Sequence, residues 1–294
     1  MSKSIAIFGK AFNPDHVDYV RLLIGKLEES GCKLIIWEPF YQFIKKSVGT
    51  GKGIETFHHH EQLKGKADFL ISVGGDGTML DAMQLVRDSG IPVAGINLGR
   101  MGFLSSIPRT EILPALSDIL EGRYNLEKRS LISIQSPVDL FGEFSFALNE
   151  LSINKKDSSS MVVVQVWVDN HFLNSYWADG LLIATPTGST AYSLSCNGPI
   201  ITPDSNNFVI TPISPHNLTM RPIVIPDDKV IRLRVDSRDS KALVRLDSRS
   251  AELERETDLV IRKADFMVNI LQRKNENFFS TLRAKLNWGM DIRN

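Results

Sequence analysis

The chain has 294 residues with 34 basic and 34 acidic side chains, 43% hydrophobic and 23% charged. That balance argues against a nucleic-acid coat or a polybasic membrane anchor, which need cationic excess, and against disorder. Two cysteines, Cys32 and Cys196, are too few for a disulfide framework, and no CxxC or Cys/His cluster suggests structural zinc.

Ser4 to Phe8 reads as a strand ending at Gly9. Asp15 to Ser30 carries Val17, Val20, Leu23, Ile24 and Leu27 at helical spacing and stops at Gly31. Cys32 to Trp37 is a strand, Glu55 to Leu63 a helical turn, and Phe69 to Val73 a continuous apolar strand of the kind covered on both faces. Thr78 to Asp88 is an amphipathic helix, Pro92 to Ile96 a strand, and Glu111 to Leu120 a helix. The alternation implies an α/β domain with a parallel sheet and right-handed crossovers.

Beyond it the texture changes. Arg129 to Val138, Phe144 to Leu151, Met161 to Val168, Gly180 to Thr185, Phe208 to Pro212, Arg221 to Ile225, Val230 to Val235 and Ala242 to Asp247 are short β-like runs broken by turn residues. Ser158 to Ser160 reads as a loop, and Phe278 to Trp288 as a helix. The expected organisation is an α/β domain over residues 1–125, joined by the C-terminal segment 275–294 whose helix packs back on it. A larger β-rich, all-β sandwich-like domain covers 126–274. Met1 to Gly9 lacks the apolar core of a signal peptide, and no apolar run reaches the roughly 18 residues of a membrane span, so a soluble cytoplasmic protein is expected.

Gly74-Gly75-Asp76-Gly77-Thr78 joins a buried strand to an amphipathic helix, where a parallel sheet presents ligand sites. Glycines let backbone N–H groups approach an anion, and the helix adds its positive end. An Asp in a phosphate cradle opposes the anion unless a metal bridges them or the carboxylate faces a hydroxyl to be activated. The second possibility makes Asp76 a general base, or an orienter, for an alcohol attacking a phosphoryl group; the plain alternative is an Asp capping a helix. No G-x-x-x-x-G-K-[ST] run occurs, and Gly49, Gly51 and Gly53 lack the dinucleotide-fold context. Thr185 to Ser195 is dense in small hydroxyls, suited to a sugar or a base edge or equally to a Ser/Thr-rich turn.

These strings together resemble the NAD kinase family: GGDGT at Gly74, NLGRMGF at Asn97 to Phe103, Asn149-Glu150, DGLLIATPTGSTAYSLS at Asp179 to Ser195, PISPH at Pro212 to His216, and the terminal NWG at Asn287. The resemblance implies transfer of the γ-phosphoryl group of ATP to the 2′-hydroxyl of the adenosine ribose of NAD, with Mg²⁺ or another divalent metal bound with ATP; no metal-ligating residue of the chain is expected. It implies Asp76 as the acceptor of the hydroxyl proton, Gly77 beside the diphosphate, Phe103 on the adenosine side, and Asn149 and Glu150 on ribose hydroxyls and adenine. Thr190, Ala191, Tyr192 and Ser195 become the wall of the same pocket and Asp179 a contact at the nicotinamide end; Asn207, where the family often has a small apolar residue, is expected as a further ligand contact. It also implies a homodimer or homotetramer. Trp177 and Arg249 depart from the family's usual basic residue and glutamine. Rival readings are a lipid or sugar kinase of the same superfamily, and a dinucleotide-binding regulator without catalysis. His58, His59 and His60 with Glu55 and Glu61 read as a solvated helix surface rather than a metal site, and Cys196 as a small buried thiol.

Overall fold

The computed structural model describes residues 2–49, 53–100, 102–156, 161–237, 241–274 and 276–287. The readings placed on Met101, Ser158 to Ser160 and Trp288 onward lie outside these residues. The chain forms two compact units, residues 1–128 with 268–294, and residues 129–267.

In the first unit the chain runs β1 (Ser4–Gly9), α1 (Val17–Glu29), β2 (Lys33–Trp37), α2 (Glu38–Ile44), β3 (Glu55–Phe57), β4 (Phe69–Gly74), α3 (Asp76–Val86), β5 (Val93–Asn97), β6 (Ile107–Pro108), α4 (Ile112–Leu120) and β7 (Tyr124–Arg129). The second unit holds β8 (Ile132–Ser136), β9 (Phe146–Ala147), β10 (Glu150–Asn154), β11 (Val162–Val168), β12 (His171–Ala178), β13 (Gly180–Ala184), α5 (Tyr192–Ser195), β14 (Asn207–Ile213), β15 (Ile223–Pro226), β16 (Ile231–Ser237), β17 (Lys241–Leu246), β18 (Arg249–Glu254) and β19 (Asp258–Lys263). The chain then returns to the first unit with β20 (Val268–Arg273) and α6 (Phe278–Leu286).

Among the described residues the first unit's sheet has the order β3-β2-β1-β4-β5-β20-β7, with β6 beside β5. β1 is parallel to both β2 and β4, Ile5 lying opposite Leu34 on one side and Phe69 on the other. Ile5, Ile7, Leu34, Ile36, Ile71, Val73, Ala94 and Ile96 share one core cluster with α1, α2 and α4. α3 packs on β4 and β5 through Met79, Ala82, Met83 and Val86, none of which joins that cluster. Strand order therefore reverses between β1 and β4, and a doubly wound sheet opens a ligand crevice at the carboxyl ends of such a pair. The Gly74–Thr78 turn follows β4 at that point.

The second unit is a two-sheet sandwich, β15-β14-β13-β10-β17-β18 and β12-β11-β16-β19-β8-β9. Strands from both sheets feed one core, which includes Ile153, Ile183, Phe208 and Val244 from the first and Val164, Leu233 and Ile261 from the second. Period-two alternation is plain in β11, where Val162, Val164 and Val166 are buried between half-buried neighbours.

Several expectations are corrected. Glu55 to Leu63 is not a helical turn: Glu55–Phe57 is a strand parallel to β2, and only His60–Gln62 turns as a short 3-10 helix. α2 forms where no element was expected, because Phe40 and Ile44, one turn apart, both enter the core. The segment 268–273, expected in the second domain, is β20, parallel to β5 in the first unit, with Ile270 opposite Val93.

Candidate active site

Gly75 is the N-cap of α3 and Asp76 its first residue, so the capping-aspartate reading is off by one position. The helix start favours a carboxylate, but this one turns to another segment. Its Oδ2 accepts the backbone N–H of Phe103 at 2.8 Å, and its Oδ1 those of Leu104 at 3.1 Å and Ser105 at 2.9 Å. The chain passes so close that a Cβ at Gly102 would stand 1.8 Å from Asp76 Oδ1. Asn97 steadies the same loop, its side-chain amide donating to Arg100 O at 2.6 Å and its Oδ1 accepting from Gly99 N–H at 2.8 Å. A carboxylate offers about four lone-pair sites. Three are taken here, and Oδ2, with one donor, keeps room for a hydroxyl. Gly77 is exposed, and Phe103 is half-buried with the Lys285 ammonium 5.7 Å above its ring.

In the second unit Asn149 and Glu150 sit where the chain enters β10. The turn after β13 closes on them: Thr185 N–H donates to Asn149 O at 2.9 Å and Thr185 Oγ1 to Leu148 O at 2.5 Å. A Cβ at Gly188 would lie 2.0 Å from Asn149 O, so only glycine permits this approach. The hydroxyl-rich run does two jobs. Thr185, Thr187, Ser189 and Ser193 are buried, and Ser189 Oγ donates to Pro186 O at 2.7 Å while accepting Ile201 N–H at 3.0 Å. Ser193 pairs with Thr211 Oγ1 at 3.1 Å. These hydroxyls build the turn and are not turned to a sugar. Thr190, Ala191, Tyr192, Leu194 and Ser195 are the members that reach the surface.

Glu150 Oε2 and Asn207 Oδ1 are buried with no hydrogen-bond partner among the described residues. Buried polar atoms are almost always paired, so these two oxygens, like Ser72 Oγ and Ser105 Oγ, keep capacity for a further partner. Burial and the neighbouring Asp247 push the Glu150 carboxyl up to about 8, partly offset by the Tyr192 backbone N–H.

Sequence comparison decides what these halves belong to. Residues 39–124 match the sequence model of the ATP-NAD kinase N-terminal domain, and residues 148–272 that of the ATP-NAD kinase C-terminal domain. The chain belongs to the NAD kinase family. A NAD kinase of Cytophaga hutchinsonii is 43% identical over 290 residues, covering 98% of this chain and 99% of that protein. One from Flavobacterium psychrophilum is 43% identical over 292 residues, 99% of each chain. Among solved structures, an NAD kinase from Archaeoglobus fulgidus in complex with ATP superposes with a TM-score of 0.73 at 25% identity over 97% of this chain and 98% of that one. A yeast NADH kinase complexed with NADH shares the fold, with a TM-score of 0.86 at 21% identity over 99% of this chain and 89% of that one. Membership carries ATP-dependent phosphorylation of NAD, and the lipid-kinase, sugar-kinase and regulator readings find no support in these matches.

Arg249 is turned inward: its guanidinium donates to Phe144 O and Phe146 O and lies 5.6 Å from the Phe146 ring. Trp177 is exposed on β12, and Asp179, two residues on, pairs with Lys155 at 2.6 Å. A cation thus meets Asp179 from a neighbouring segment. The three histidines do not share a helix face with Glu55, which pairs with Lys33 from its strand; His60 lies 3.0 Å from Glu61 and 3.3 Å from Arg87. Cys196 is half-buried, and burial pushes its thiol up, away from thiolate reactivity.

Proposed function

We propose that the chain transfers the γ-phosphoryl group of ATP to the 2′-hydroxyl of the adenosine ribose of NAD, giving NADP and ADP. The O2′ atom attacks phosphorus as the bond to the β-phosphate oxygen breaks, and the hydroxyl proton passes to Asp76 Oδ2. Positioning and charge neutralisation do most of the work in such transfers. The observation that carries this reading is the Asp76 carboxylate, immobilised by three backbone N–H groups with one oxygen left to accept from a hydroxyl.

In the same reading Gly77 lies beside the diphosphate and Phe103 lines the adenosine side. Asn149 and Glu150 bind ribose hydroxyls and adenine, with the orphaned Glu150 Oε2 as a ligand contact. Thr190, Ala191, Tyr192 and Ser195 form the pocket wall, Asn207 Oδ1 accepts from ligand, and Asp179 reaches the nicotinamide end. Mg²⁺ neutralises phosphate charge and arrives with ATP. Among the described residues no group of three or more His, Cys, Asp or Glu stands together, and no step is routed through the ion.

We also propose a cytoplasmic homodimer or homotetramer. Both cysteines are free, which suits a reducing compartment, and no described helix is long and apolar enough to cross a membrane. Light scattering on the purified protein tests the assembly. The function is tested by incubating the protein with ATP, Mg²⁺ and NAD and assaying the product with an NADP-specific dehydrogenase. Equimolar NADP and ADP are expected; ADP without NADP would overturn the reading.

A further inference from the structure

Asp247 lies in the two-residue connection between β17 and β18, where Leu246 pairs with Arg249, and its backbone is left-handed at φ +52°. Asp tolerates that conformation better than most residues. Its carboxylate reaches back nearly a hundred residues along the chain: Oδ2 accepts Leu148 N–H at 2.9 Å, and Oδ1 accepts Asn149 N–H at 2.9 Å and Glu150 N–H at 3.2 Å. Its own N–H donates to Glu150 O at 3.1 Å. With the two bonds from Thr185 to the carbonyls of Leu148 and Asn149, all six backbone polar groups of residues 148–150 are held by two residues, Asp247 and Thr185.

The consequence falls on the side chains. A dipeptide whose main chain is fully engaged presents only its side chains, and one of them ends in the orphaned Glu150 Oε2. Successive N–H groups converging on a carboxylate form a rigid anion nest, and residues held this way lose little freedom when ligand binds. The arrangement parallels Asp76, whose carboxylate collects the three N–H groups of residues 103–105 in the other unit.

We infer that Asp247 is a positioning residue for dinucleotide recognition, presetting the Asn149-Glu150 backbone so that the two side chains read the nucleoside. The inference rests on the assignment of Asn149 and Glu150 to NAD binding made above. Asp247 is not a catalytic residue, since it acts only through the segment it holds.

The test compares Asp247→Asn with Asp247→Gly in the full chain. Asn keeps the left-handed backbone and an oxygen able to serve Asn149 and Glu150, losing the bond to Leu148; Gly keeps the backbone and loses all three. The KM for NAD is expected to rise about tenfold or more in Asp247→Gly and less in Asp247→Asn, with the KM for ATP within about twofold and kcat less affected than the KM for NAD. Hydrogen exchange at the amides of Leu148, Asn149 and Glu150 should accelerate in the same order. An unchanged KM for NAD in Asp247→Gly, or parallel rises for NAD and ATP in Asp247→Asn, overturns the inference. If the glycine variant does not fold, Asp247→Asn decides by its exchange rates and the split between the two substrates. A wild-type protein that makes no NADP fails the functional reading instead, and the amide exchange still reports on Asp247.

Discussion

Asp76 Oδ2 accepts the backbone N–H of Phe103 at 2.8 Å, so the side chain assigned to the hydroxyl proton also fixes the residue assigned to the adenosine. Loop and acceptor are one device. The carboxylate is aimed because the loop grips it, and the loop is shaped because it grips the carboxylate.

Gly102→Ala tests that coupling without touching a reactive group. The added Cβ would stand 1.8 Å from Asp76 Oδ1, inside any real contact, so either the carboxylate or the loop must move. We expect kcat/KM for NAD to fall about 100-fold, in line with the sensitivity of positioned transfers to displacements near 1 Å. Far-ultraviolet circular dichroism should be unchanged, since the contact lies outside the sheet. Activity within twofold of wild type would show that the grip is dispensable.

Glu150 gives a pH signature. Burial and Asp247 push its carboxyl up to about 8, against an ordinary value of 4.5. The folded protein therefore holds a proton that the unfolded chain releases. This group's contribution to stability is full below about 4.5 and is lost as pH rises toward 8. Glu150→Gln mimics the neutral acid, so its stability should lack that decline.

The same shift governs binding. Below pH 8 the variant should bind NAD within a few-fold of wild type, because Gln and a protonated Glu present similar groups. Above it, wild-type affinity should rise as Glu150 ionises, because a carboxylate accepts from a ligand's donors more strongly than the neutral acid, while the variant stays level; Cys196, whose thiol burial also raises, faces the same carboxyl and belongs in the fit. Titrations of NAD from pH 6 to 9.5 check this, and identical profiles for the two proteins would contradict it.

The bonds from Arg249 to Phe144 O and Phe146 O give it a structural task. Arg249→Gln should lower stability by about 1–3 kcal/mol, since a charged donor is lost from two carbonyls, and leave the KM for NAD within about twofold. Urea unfolding and steady-state kinetics measure the two effects. A large rise in KM with unchanged stability would reassign the residue to ligand.

Much of this was legible in the chain. β1, α1, β4, α3 and β5 follow from apolar spacing and glycine stops, because each buries a periodic face. Glu55–Phe57 misled because three residues carry no period, and its strand character comes from pairing with β2. β20 reads with the second domain because Val268–Arg273 differs little in composition from the strands before it; only its partner β5 distinguishes it. In the site, GGDGT marks Asp76 and the TPTGSTAY string marks Tyr192, yet buried Thr185 and Ser189 are indistinguishable there from half-buried Thr190. Asp247 reads as the end of a strand, since its three acceptor bonds span nearly a hundred residues and leave no local trace.

The central claim is that Asp76 takes the proton as the ribose hydroxyl attacks phosphorus. Rapid-quench measurement of NADP formed in a single turnover, by wild type and Asp76→Asn saturated with ATP, Mg²⁺ and NAD, tests it most directly. The account predicts a slowing of about 10²–10⁴ in the chemical step, with NAD affinity changed only a few-fold. A variant that phosphorylates NAD at the wild-type rate contradicts it.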